Sequence, residues 1–183
     1  MRRATDIVEY KNLIEAGFKV KPDLMWNHTL RTDKPDPYLS DYCETVEKTS
    51  TMFICRAWSL TLLIESVPKF TACGWFAINY HLRSKSYIAG YIDDEGAFVR
   101  SYGSFDLVGA IVDLLLFTLN NSDIVAIGQK YLEGGCTYQD IVDSMAEVDL
   151  RQKNSYNPAD RQEGTLFPDT LLISDKPQYR NNG

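Results

Sequence analysis

The chain has 183 residues, 44% hydrophobic and 24% charged, with a formal net charge of -6. That is enough apolar material for one ordinary core, and too much for an intrinsically disordered chain. The acidic balance argues against broad binding to nucleic acid or to an anionic membrane, since either needs a basic face.

Residues 1–17 are of mixed charge and hold no apolar run, so no secretory leader is expected and the chain is read as cytoplasmic. Cys43, Cys55, Cys73 and Cys136 lie far apart with no C-x-x-C pair. Free thiols in a reducing compartment are the expectation, with no metal site and no cofactor.

In chain order, residues 5–16 are expected to form a helix. Ile7, Val8, Leu13 and Ile14 give a one-sided stripe, and Gly17 gives a stop. Residues 20–42, with Pro22, Pro35 and Pro37, read as a long irregular arm. Met25, Trp26, Tyr38 and Leu39 within it are read as anchors onto the body, and Met25 and Trp26 are carried as candidate subunit contacts. Residues 44–67 fit both a helical face and a strand-like alternation; leucine content and run length favour helix, ended by Pro68.

Residues 71–102 read as a three-stranded antiparallel meander. Phe76, Ile78, Tyr80 and Leu82 alternate with Trp75, Ala77, Asn79 and His81, and the turns fall at 83–85 and 93–96. The acids of Asp93-Asp94-Glu95 lack the spacing of a calcium loop and read as a solvated turn. His81, Arg83 and Lys85 share a strand face and read as a polar edge.

Residues 104–120, SFDLVGAIVDLLLFTLN, are apolar nearly all round, the mark of a buried helix, and are shorter than the ~18 residues a membrane span needs. Ser104 reads as its N-cap. The carboxylate of Asp113 inside it should need a partner, and Arg100 is the candidate for a buried ion pair. Helices at 122–132 and 138–150 follow, the second opened by Thr137 and Asp140 at capping-box spacing. Residues 151–183 read as an extended C-terminal arm, with apolar clusters at Leu166-Phe167 and at Leu171, Leu172 and Ile173.

The fold class expected is therefore α+β: a buried central helix, a three-stranded meander and peripheral helices over 1–150, plus the arm. Arg100-Ser-Tyr-Gly103-Ser-Phe105 before a helix resembles the pyrophosphate turn of the GNAT acyltransferases. Phe105 stands where that family has a small residue, and the resemblance implies a further strand after the helix, at 123–127. The stretch 130–142 is similar to the first helices of helix-turn-helix regulators, which implies DNA contacts from Arg151 and Lys153. Ring-forming connector or neck proteins of tailed phages resemble the overall plan of helices, β insertion and C-terminal arm. From that plan the expectation is a non-enzymatic structural subunit of a larger symmetric assembly, and possible incorporation into a virion. Its partners would be other protein subunits, and Met25, Trp26, Leu166, Phe167, Leu171, Leu172 and Ile173 would lie at the interface.

Overall fold

A computed structural model describes residues 2–28, 37–51 and 53–155. Helix α1 (Ile7–Glu15) opens at Asp6, whose side chain accepts from the amides of Val8 and Glu9 while Glu9 reaches back to the Asp6 amide. This reciprocal capping box satisfies amides that the first turn leaves without partners.

The region expected to be irregular holds strand β1 (Leu24–His28) and strand β2 (Pro37–Asp41). The region expected to be one helix splits into α2 (Glu44–Thr49), strand β3 (Phe53–Ala57) and α3 (Leu60–Ser66). Ser50 ends α2, and the Ser59 hydroxyl accepts from the Leu62 amide at 3.2 Å to start α3. Two polar punctuation residues, not the apolar periodicity, decide this stretch. The three strands form an antiparallel sheet of order β2-β1-β3. It is tied to the N-terminal residues by Thr5 N–H to the Trp58 carbonyl, 3.1 Å, and by Leu60 N–H to the Arg3 carbonyl, 2.8 Å. Trp58 is fully buried, stacked on Tyr10 at 4.8 Å and edge-on to Phe18 at 4.9 Å, with its indole N–H donated to the Val20 carbonyl.

A second antiparallel sheet follows, with one strand more than expected. Strand β4 (Phe70–Thr71) is followed by β5 (Gly74–His81), β6 (Ser86–Ile92) and β7 (Phe98–Ser104), paired in that order. The acidic turn is as read: Asp93 Oδ1 accepts from the amides of Glu95 and Ala97, and Gly96 takes a positive φ of 82°. The register sets Phe76 opposite Tyr91 and Tyr91 opposite Arg100, so these three share the inner face.

Helix α4 (Leu107–Asn120) lies against β6 and β7 on one side and against α1 and α3 on the other. Nine of its fourteen residues are buried, which is why it is apolar nearly all round. Its N-cap is Asp106, not Ser104; Asp106 Oδ1 accepts from the Gly109 amide at 2.9 Å. Arg2 bonds Asp6, Glu9 and Asp106 and so joins the starts of α1 and α4. No single helix among the described residues is long and apolar enough to cross a membrane.

Helix α5 (Ser122–Leu132) crosses β4, and α6 (Tyr138–Ser155) packs on α5. A Cβ at Gly128 would sit 2.6 Å from the Thr71 backbone, so glycine is what lets α5 approach the strand. Thr137 and Asp140 form the expected reciprocal cap, each side-chain oxygen accepting the other's amide.

Candidate interaction surface

Strand β5 is an edge for most of its length. The partner β4 pairs only with Gly74 and Trp75, and among the described residues no strand pairs with the rest of that side. The Phe76 N–H is donated to the Lys69 carbonyl at 3.0 Å, and the Tyr80 N–H to the side chain of Asn79 at 2.7 Å. Both amides therefore face away from β6, and by the alternation of the antiparallel ladder Ile78 presents its N–H and C=O the same way. The strand carries no Asp, Glu, Lys or Arg between Gly74 and His81, while Trp75, Ile78 and Tyr80 are exposed. A long apolar edge without charge is a template for another strand.

At the start of β5 the edge runs into a groove of about 570 Å³ between the sheet and the α5–α6 pair. Phe70 and Trp75 form one wall, with ring centroids 4.7 Å apart; Tyr131, Tyr138 and Val142 form the other. Trp75 is 47% exposed and Tyr138 69%. Cys73 and Met145 lie at the floor, with Sγ 3.3 Å from Sδ. Burial pushes the Cys73 thiol up to about 11, which keeps it protonated and unreactive at neutral pH. Asp93, Asp94 and Asp149 give the rim a negative charge.

The expected Arg100–Asp113 ion pair is not formed. Arg100 bonds Asp149 of α6 at 2.7 Å, and its guanidinium lies 5.3 Å from the centroid of the Phe117 ring. Asp113 is exposed, because Asp106, Asp113 and Asn120 fall seven residues apart and form one narrow polar strip along α4. The strip opens into a pocket of about 520 Å³ with Tyr102, Asn121 and Arg151. Loss of solvation there, with the charge of Asp106 adding to it, pushes the Asp113 carboxyl up from the ordinary aspartate value. Burial carries the Tyr102 hydroxyl up to about 12.

Of the expected interface residues, Met25 is 3% exposed and belongs to its own subunit's core. Trp26 is half-buried, with its indole N–H donated to the Thr5 carbonyl at 2.8 Å. The alternation of β1 turns both inward, so they anchor the first arm instead of reaching outward. Leu166, Phe167, Leu171, Leu172 and Ile173 lie outside the described residues.

The stretch resembling a pyrophosphate turn is strand through Ser104, and the first free amide of α4 is already occupied by Asp106. Residues 123–127, where the acyltransferase resemblance implies a strand, belong to α5. Arg151, a DNA contact in the helix-turn-helix reading, is bonded to Asp123. His81 is held locally, its Nδ1 2.8 Å from the Ser84 hydroxyl. Cys43, Cys55, Cys73 and Cys136 are all free thiols. The groove was missed in the sequence because its walls come from separate segments. Trp75, Tyr131 and Tyr138 carried the signal, as aromatics placed where α5, α6 and β5 begin or end. The chain matches no family model, no curated protein and no solved structure.

Proposed function

We propose that the chain is a non-enzymatic structural subunit of a larger symmetric assembly, joined to its neighbours through the open edge of β5. The observation that supports this reading most is the uncharged edge from Phe76 to His81, with Ile78 and Tyr80 exposed upon it. An isolated subunit has nothing to gain from such an edge, whereas a neighbour's strand satisfies its outward amides and covers its side chains. A connector-like ring is the form of assembly the overall plan suggests, and heterologous contacts of this sort close into rings when the rotation permits.

The test is the native mass of the full chain by light scattering over a range of concentrations, beside Ile78→Lys. The wild type should give a discrete oligomer and the variant a monomer with an unchanged circular-dichroism spectrum, since a lysine on an exposed edge opposes pairing. A wild type that stays monomeric at every concentration overturns the proposal.

A further inference from the structure

We infer that the aromatic groove between β4, β5, α5 and α6 is the seat of the chain's own residues 166–173, folded back onto the same subunit. The groove and the segment match in character. Its walls offer Phe70, Trp75, Tyr131, Tyr138 and Val142 to solvent, a cluster of large apolar side chains that a folded chain rarely leaves uncovered. The segment brings Leu166, Phe167, Leu171, Leu172 and Ile173 within eight residues.

Reach and connection favour the same subunit. Helix α6 is itself a wall of the groove, through Tyr138, Val142 and Met145, and the chain leaves that helix at Ser155. From Ser155 back to Met145 is ten residues of helix, about 15 Å. The sixteen residues from Ser155 to Leu171 span up to about 50 Å when extended, so the return is short of the available length. A tethered segment of this kind experiences an effective concentration of order 1 mM; even a docking constant near 0.1 mM would keep the seat about 90% filled.

Charge agrees with the direction of entry. Asp93, Asp94 and Asp149 rim the groove, and residues 170–180 carry Lys176 and Arg180 against the single acid Asp175. The cations follow the apolar cluster, where they can meet the acidic rim once the leucines are seated. The inference stands apart from the assembly reading, because the groove and the pairing edge of β5 meet only at Trp75.

Acrylamide quenching of tryptophan fluorescence in the full chain tests this. Trp58 is fully buried and Trp26 is half-buried, so the quenchable emission belongs chiefly to Trp75, and Trp75→Phe identifies its share. In the wild type the Trp75 share should be protected. In the double variant Leu171→Asp, Leu172→Asp, and independently in Val142→Glu on the groove wall, quenching of that share should rise several-fold, as expected from emptying a seat filled about 90% of the time. Protection must persist in Ile78→Lys at dilutions where light scattering gives a monomer. Equal quenching in wild type and both variants overturns the inference, and so does protection that vanishes when the mass falls to that of a monomer, which would place a neighbour's segment in the groove. A wild type that is monomeric throughout yet protected would refute the assembly reading and leave this one standing.

Discussion

Helices α4 and α6 are both apolar enough to be seen in the sequence, yet they end in different places. In α4, Val108, Ala110, Ile111 and Leu114 are wholly buried between the sheet and two helices, and only the Asp106–Asp113–Asn120 strip reaches solvent. In α6, Ile141 and Val148 are buried while Tyr138, Val142 and Leu150 are exposed. The first helix spends its apolar surface on the core. The second spends one line of it there and leaves the next line to form a groove wall. Apolar residues that the fold leaves uncovered are better evidence of contacts than those it uses.

The contrast can be broken most forcefully in the core. Ile111→Ala should cost roughly 2–5 kcal/mol, the range for truncating a large buried aliphatic side chain, measured by urea unfolding. Val142→Ala on α6 should cost less than about 0.5 kcal/mol in the same experiment, as a substitution away from the core. If the two losses are equal, the groove wall is core and the distinction between the helices fails.

A middle-sized effect is expected where α5 meets β4. Gly128→Ala would place its Cβ against the Thr71 backbone, and overpacking of that kind costs about 1–3 kcal/mol. A neutral substitution would mean that α5 stands further from the strand than described. Asp106→Ala removes the cap of α4 and a partner of Arg2; loss of an N-cap costs ~1 kcal/mol.

The smallest effects are those of pH, and they have opposite signs at two aspartates. The carboxyl of Asp113 is raised in the folded chain, so the folded state holds that proton more tightly. Its contribution is complete below the unfolded value, near pH 4, and is lost as pH rises through the folded value. Asp113→Asn should therefore raise the Tm at pH 7, with the gain fading towards pH 4. The Arg151 guanidinium holds the Asp123 carboxyl below its ordinary value, so that contribution is present above pH 4 and lost as pH falls through the folded value. Asp123→Asn should lower the Tm at pH 7 and make little difference in acid. Parallel shifts in the two variants would contradict the burial described for α4.

The sequence made some of this legible for identifiable reasons. Capping residues at Asp6, Thr137 and Asp140, and turn residues at Asp93 and Gly96, report local backbone geometry, and the elements they bound stand where expected. The strand Ser86–Ile92 and the helix Ser122–Leu132 agree to the residue. The sheet of β1, β2 and β3 was not legible, because pairing across Leu24–Ala57 and Leu24–Asp41 joins segments with no shared local signal. In residues 44–67, alternation and helical spacing coexisted, and Ser50 and Ser59 were the deciding marks. The Arg100–Asp113 pair failed because a nearly uniform apolar run hid a strip at seven-residue spacing. The groove and the β5 edge could not be read at all: an edge exists only relative to strands that are not there.

The outward amide of Ile78 is the most direct report on that edge, and its hydrogen exchange in the full chain, followed across a dilution series, is the measurement that matters most. A paired edge predicts slow exchange at concentrations where the chain assembles, and acceleration as dilution releases the monomer. Fast exchange at every concentration, with an oligomer still present by light scattering, would show that the subunits meet elsewhere and would contradict the account.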